Sequence, residues 1–516
     1  MAQLGFWSFA QRDPGALALV DPDGREWTRG ELLSGANQIV HGLRALGLGR
    51  GDCVAAVLPN GAPMLQICLA IAQAGMYLTP INHHLTAPEI AYIVGDSETR
   101  AFFAAERFAA VSRAAADELG FPARARFAVG RIEGFRPFAE LLAGQPDTLP
   151  ADRAAGQVMN YTSGTTGRPK GVRRGLAPID PDSAAALAAG FLGLFGVRAE
   201  DANVHLCGSP LYHTAVLVFA ASSLHLGHPV VLMDRWTPEE TLRLIEKYRV
   251  TTSHMVPTQF HRMLALPEEV RRRYDVSSTR AMVHAAAPCP VDVKRRMLEW
   301  WGDSIWEYYA ATEGGGTVIP PGEWRQRPGT VGRAWPGSEI RVLDDEGKDC
   351  PPGTPGTVYM KLGAANFEYK GDKQKTEESR REGFFTVGDI GYLDADRYLF
   401  LCDRKHDMII AGGVNIYPAE IESVLLTHPK VADAAVFGVP HADWGEEVKA
   451  VIQPVEGTPG DDRLREEILD FCADKLARYK TPRSIDFVAE MPRDPNGKLY
   501  KRVLRAPYWI GRERQI

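Results

Sequence analysis

CVAAVLPNGAPMLQICLAIAQAGMYLTP, Cys53 to Pro80, is the stretch that decides the fold class. A short apolar run, Cys53–Leu58, precedes apolar residues at helical spacing over Ala62–Ala74, and a second short run, Met76–Pro80, follows Gly75. These periods predict strand, helix and strand in succession. Upstream, LALVDPDGREW reads as two short strands joined by a DPDG turn. A helix is expected to start at Thr28, where Glu31 three residues on completes a capping box. Further strands are expected at His205–Gly208, Val230–Met233 and Thr252–Val256. Strands alternating with helices imply layered α/β structure.

Length and composition bound the rest. At about 150 residues per domain, 516 residues imply roughly three domains, or one large domain with a smaller companion. Hydrophobic residues at 45% and charged residues at 24% exclude a disordered, collagen-like or coiled-coil chain. A net charge of −6 offers no basic surface for nucleic acid or anionic lipid. The seven cysteines, Cys53, Cys68, Cys207, Cys289, Cys350, Cys402 and Cys472, are scattered and form no CxxC, so neither a disulfide framework nor a zinc knuckle is indicated. The N-terminus MAQLGFWSFAQRD lacks a signal-peptide pattern, and the longest apolar run, Ala184 to Val197, is too short to span a bilayer. A cytoplasmic protein without a transmembrane segment is the expectation, and a homodimer is left open.

The character of the chain changes near Arg404. A β-rich stretch full of glycine turns closes with a strand at Tyr398–Cys402, so the expected domains are residues 1–402 and 403–516, with a hinge near Asp403. In the second part Pro418 suits the first turn of a helix running through Glu422 and Leu425, and Val431–Val439 reads as a strand. Leu464, Ile468, Phe471, Cys472 and Leu476 mark one helical face, which Asp461 or Asp462 is placed to cap. The expected fold is α/β: a large N-terminal domain of layered α/β subdomains plus a β-rich subdomain, followed by a small mobile α+β domain.

YTSGTTGRPKGV, Tyr161 to Val172, carries the chemistry. Gly164, Gly167 and Gly171 open backbone conformations closed to other residues, so that successive N–H groups converge on an anion. Thr162, Ser163, Thr165 and Thr166 add hydroxyl donors, and Lys170 a mobile positive charge. No GxxxxGK[ST] string occurs, so a P-loop is excluded. Four more segments accompany it: YYAATEGG (Tyr308–Gly315), FFTVGDIGYLD (Phe384–Asp394), DRKHDMIIAGGVNIYPAEIE (Asp403–Glu422) and PRDPNGKLYKR (Pro492–Arg502). Together, in this order, they resemble the adenylate-forming enzymes: acyl-CoA synthetases, aryl-CoA ligases, beetle luciferase and peptide-synthetase adenylation domains. The resemblance extends from about residue 10 to 505.

That resemblance implies ATP, Mg²⁺ and CoA as small-molecule partners and a carboxylic acid activated as its adenylate. Nucleotide contacts are expected from Thr162, Ser163, Gly164, Thr165, Thr166, Gly167, Lys170, Ala286, Tyr309, Thr312, Asp389 and Arg404. Tyr309 would stack on adenine and Asp389 accept from the ribose hydroxyls with Arg404 beside it. Glu313 and Thr165 are the expected Mg²⁺ ligands, and Lys498, Glu313 and His213 the catalytic set. Asp403 is the expected hinge, and Gly412 and Gly413 the walls of a CoA channel. Two departures stand out: Ala310 replaces a usual glycine, narrowing the adenine pocket slightly, and Val387 replaces a usual threonine, removing one hydroxyl contact. The acyl pocket is expected from Val216, Phe219, Val256–Phe260, Ala285–Ala287 and Gly314–Gly316, mostly small or apolar. A medium or long fatty acid is favoured; aryl or sterol side-chain acids, an acyl-AMP ligase loading a carrier protein, and a catalytically inactive nucleotide-binding regulator are the alternatives.

Overall fold

The structure, a computed structural model, describes residues 4–162, 169–199, 201–363, 367–493 and 499–510. The chain forms two compact units: Met1–Met255 with Leu266–Val283 and Ala364–Glu378, and Val256–Ala265 with His284–Gly363 and Ser379–Ile516.

Two parallel sheets organise the first unit. One runs Arg136–Pro137, Arg126–Val129, Thr99–Ala105, Cys53–Val57, Tyr77–Pro80 and Gln157–Val158, every neighbour parallel. Parallel neighbours require a crossover, and the helix Ala62–Ala74 supplies it between Cys53–Val57 and Tyr77–Pro80. Gly75 ends that helix at φ 68°, a left-handed conformation that costs glycine little. Met64, Leu65, Ile67, Leu69 and Ile71 are all buried, which explains why the helix is apolar on nearly every face.

The second sheet places Thr252–Met255, His205–Cys207, Val230–Leu232 and Leu17–Val20 side by side in parallel. Glu26–Thr28 adds an antiparallel edge through the DPDG turn. The capping box forms as its residues require: the Glu31 N–H donates to Thr28 Oγ1 at 3.2 Å, and the Thr28 N–H to Glu31 Oε2 at 2.8 Å. From the helix it starts, Arg29–Ala45, Leu32, Ile39 and Leu43 join Ile67, Phe103 and Phe127 in one core. A small antiparallel sheet links Asn160–Thr162, Lys170–Arg173 and Glu368–Tyr369.

In the second unit, Ile305–Ala310 turns back onto Gly316–Ile319, pairing Tyr309 with Thr317 and Ala310 with Gly316. Ser338–Leu343, Gly356–Leu362, Asp389–Leu393 and Leu399–Arg404 build the β-rich part. The strand expected to end at Cys402 continues to Arg404, because Ile390 pairs with Asp403 and Asp389 with Arg404. Farther along, the hairpin Val431–His441 and Gly445–Pro454 is flanked by Ile409–Ala411, Val414–Ile416 and Ser484–Phe487. The helices Pro418–Leu425 and Asp462–Ala473 bury Ile421, Leu425, Leu464, Ile468 and Cys472 against it, an α+β arrangement. Asp461 is the cap, accepting from the Leu464 N–H at 2.9 Å. This helix stops at Ala473, so Leu476 is buried beyond its end rather than on its face, and Phe471 is half-buried.

All seven cysteines are free. No helix among the described residues is long and apolar enough to cross a membrane; the long apolar run divides into the helix Pro181–Gly190 and a 3₁₀ segment Phe191–Phe195.

A Cβ added at Gly316 would lie 2.1 Å from the Tyr309 carbonyl oxygen and 2.6 Å from the Trp335 ring. Gly316→Ala is expected to destabilise the protein by about 1–3 kcal/mol, as overpacking does. Loss of the cap in Thr28→Ala is expected to cost about 1 kcal/mol. Thermal unfolding should rank Gly316→Ala as the less stable variant, and the opposite order would contradict the close approach.

Candidate functional site

Ser163, Gly164, Thr165, Thr166 and Gly167 lie outside the described residues, as does Lys498. The strands that flank the first group are defined: Asn160–Thr162 and Lys170–Arg173 pair antiparallel, with Thr162 opposite Lys170. Gly171 sits over the Tyr161 ring, where a Cβ would come within 2.9 Å. The Tyr161 hydroxyl donates to Asp96 Oδ2 at 2.5 Å, and burial followed by this carboxylate drives its pKa far above the usual phenol value.

Lys170 differs from its expected role as a mobile positive charge. Its Nζ donates to Asp372 Oδ2 at 2.5 Å, and the side chain is largely buried. This hydrogen bond holds the Asp372 carboxyl below the ordinary carboxylate range. Asp372 is a polar partner that sequence reasoning missed, 202 residues away with no local signal to connect them.

Three expected nucleotide contacts do come together in the second unit. Tyr309, on the strand Ile305–Ala310, donates through its hydroxyl to Asp389 Oδ2 at 2.6 Å. Arg404 Nε lies 3.4 Å from Asp389 Oδ1, placed there by the register that sets Asp389 opposite Arg404. Asp389 is 8% exposed, with Tyr309 on one carboxylate oxygen and Arg404 beside the other. Burial, then the Asp389 charge, pushes the Tyr309 phenol well above its ordinary pKa, so it stays a neutral donor. Just before Asp389, Gly388 adopts φ 84°, and its N–H donates to Thr386 Oγ1 at 3.0 Å. A threonine hydroxyl is thus present one residue before Val387, and it is used in closing this turn.

Thr312 and Glu313 occupy the connection from Ile305–Ala310 to Gly316–Ile319, and Glu313 is buried. Gly314 and Gly315 take φ 124° and 78°, and the Gly316 N–H donates to Ser338 Oγ at 2.9 Å. Ala310 is exposed. Ala286 follows the strand Ala281–His284 with φ 74°, a left-handed backbone that costs an alanine of order 1–3 kcal/mol and persists because its surroundings impose it.

Elsewhere in the first unit His213 precedes the helix Thr214–His225, its ring centroid 4.4 Å from that of Tyr212. Val216 and Phe219 lie on the buried face of this helix. Phe219 packs within 4.9 Å of the His254 ring and 5.5 Å of Phe195, with His205 6.2 Å away. Burial pushes His205 down to about 3 and His254 to about 4, so both imidazoles are neutral near pH 7.

Asp403 Oδ2 accepts from the Ala419 N–H at 2.9 Å, in the first turn of the helix Pro418–Leu425, where a carboxylate is favoured. Gly412 and Gly413, φ 58° and 80°, form the two-residue turn between Ile409–Ala411 and Val414–Ile416, the conformation of a type I′ hairpin. On either side of the lysine loop, Arg493 makes a two-pronged contact with Asp433 at 2.6 and 2.7 Å, and Lys501 Nζ pairs with Glu422 at 2.8 Å. Among the described residues no cluster of three or more His, Cys, Asp or Glu side chains is arranged to hold a metal ion.

The chain resembles known proteins along nearly its whole length. Residues 6–368 match the AMP-binding enzyme family, and residues 420–498 its C-terminal domain. A fatty acid–[acyl-carrier-protein] ligase of Streptomyces coeruleorubidus is 34% identical, covering 98% of this chain and 96% of the relative. A long-chain-fatty-acid–CoA ligase of Mycobacterium tuberculosis is 31% identical, covering 97% and 98%. Among solved structures, an anthranilate CoA ligase in complex with anthranoyl-AMP superposes with a TM-score of 0.86 at 27% identity, covering 98% of each chain. With both matched segments in the same order as the site residues, the protein belongs to the AMP-binding enzyme family, the adenylate-forming acid–thiol ligases.

Proposed function

We propose that the protein is an ATP-dependent ligase that activates a hydrophobic carboxylic acid as its acyl-adenylate and transfers the acyl group to the thiol of CoA. The observation that carries this reading is the buried Asp389 carboxylate held between Tyr309 and Arg404 in a chain of this family. Such a group accepts two ribose hydroxyls while Arg404 balances its charge. Tyr309 then fixes both the carboxylate and the ring that faces the base.

The chemistry assigns the remaining roles. A carboxylate resists a thiol because it is anionic and would have to expel oxide; its oxygen therefore first attacks the α-phosphorus of ATP, breaking the bond to pyrophosphate. Charge grows on the phosphate and the departing pyrophosphate, and fixed donors there contribute several kcal/mol. Residues 162–167 and Lys498 are assigned to those oxygens. Glu313 suits a Mg²⁺ that arrives with the phosphates, since this ion is commonly held by one or two carboxylates plus substrate oxygens. In the second step the thiol attacks the acyl carbon and AMP leaves. Rotation at Asp403, between domains 1–402 and 403–516, would exchange Lys498 for the Gly412–Gly413 turn, whose missing side chains leave room for a narrow thiol-bearing arm.

A hydrophobic acid is supported by the aromatic surroundings of Phe219, beside Phe195 and the neutral His254 imidazole. A fatty acid is the first choice and an aryl acid the second, the latter favoured by the likeness to an anthranilate CoA ligase. Transfer to a carrier protein is the acceptor alternative, given the Streptomyces relative.

Acids from acetate through C18, together with aryl and steroid acids, should be supplied with MgATP and CoA and the products weighed by mass spectrometry. Acyl-AMP and acyl-CoA are expected from medium or long chains; absence of ATP–pyrophosphate exchange with every acid would favour a nucleotide-binding regulator instead. Lys498→Ala is expected to lower adenylate formation by at least about 10²-fold while leaving thioester formation from preformed acyl-AMP much less affected. Equal loss in both half-reactions would refute the two-state assignment. Asp389→Asn is expected to raise the KM for ATP about tenfold with the KM for the acid little changed.

A further inference from the structure

Lys294 is fully buried, on a helix, Val291–Trp301, whose inner face is otherwise Val293, Met297, Leu298 and Trp301. Its Nζ donates to Glu307 Oε2 at 2.5 Å, and His284 Nε2 lies 3.5 Å from the same oxygen. The ammonium also sits 4.7 Å from the centre of the Trp324 ring. Burial pushes the Lys294 ammonium down and the Glu307 carboxyl up, each opposed by the other's charge. An ion pair this deeply buried adds little net stability, and apolar residues of similar volume usually replace it without loss. Stability therefore does not account for it.

Its neighbours in the chain suggest another role. Glu307 stands two residues before Tyr309 on the same strand and so on the same face. His284 closes the strand Ala281–His284, two residues before the left-handed Ala286. One carboxylate thus joins the segment carrying Ala286 to the segment carrying Tyr309, Thr312 and Glu313.

We propose that Lys294 and Glu307 are positioning residues for the adenylation step, the Lys294–Glu307–His284 cluster fixing the two segments that meet the nucleotide. This rests on the ATP assignment above. Neither residue is placed against substrate; they act through Ala286 and Tyr309.

The test compares Lys294→Met, Glu307→Gln and the double variant Lys294→Met/Glu307→Leu with the parent by thermal unfolding, ATP titration and ATP–pyrophosphate exchange. Lys294→Met alone is expected to lower Tm, since it strands a buried carboxylate. The double variant is expected to recover Tm while its KM for ATP stays about tenfold raised and its KM for the acid stays at the parent value. Recovery of the ATP KM together with Tm would reduce the pair to a structural element and overturn the proposal. If the double variant does not fold, Glu307→Gln decides: an ATP KM indistinguishable from the parent's overturns the proposal, and a selective rise supports it. A parent that binds no ATP overturns the assignment on which this one stands; a parent that binds ATP, with variants that bind it equally well, overturns this one alone.

Discussion

The hydrogen bond from Tyr309 to Asp389 is the constraint on which the candidate site depends. It joins a strand that leads into the Thr312–Glu313 turn to a strand whose antiparallel partner delivers Arg404. A buried carboxylate without partners would be desolvated at a cost of several kcal/mol and would take up a proton instead. Asp389 has two such partners, the Tyr309 phenol and the Arg404 guanidinium. The geometry is set by backbone register, so it is present before any ligand arrives.

The same device recurs with different partners. Arg493 with Asp433, Lys501 with Glu422 and Lys294 with Glu307 are largely buried pairs, and Lys170 with Asp372 a half-buried one, all adjoining segments with proposed chemical roles. Pairs of this kind are a poor source of net stability, but breaking one by removing a single partner is costly. The apolar cores beneath, from Leu32 to Phe127 in one unit and from Ile409 to Ile485 in the other, supply the stability that such pairs do not.

Much of the local structure was legible because its causes are local. The helix Ala62–Ala74 has an uninterrupted apolar pattern and a glycine just past its end, and the cap at Thr28 needs only a residue three positions away. Tyr309, Asp389 and Arg404 were each named from their motifs, although nothing in the motifs says that they touch one another. The Lys170–Asp372 pair was invisible, since 202 residues separate its members. Lys294 was available in principle: it falls within the stripe Val293, Met297, Leu298 and Trp301, whereas Arg295 and Arg296 do not. A charge on the apolar face of a helix is the signal that would have drawn attention to Glu307. Strand ends were the least legible, because Asp403 and Arg404 look like linker residues until their partners Ile390 and Asp389 are known.

Asp403 belongs at once to the end of a sheet and, through its carboxylate, to the start of the helix Pro418–Leu425. Turning the backbone there would break the last rungs of a ladder and the bond to the Ala419 amide. Each such bond contributes about 1 kcal/mol, so the toll is modest but concentrated in one place. Asparagine in its stead would keep the sheet pairing but offer the Ala419 amide a neutral and weaker acceptor.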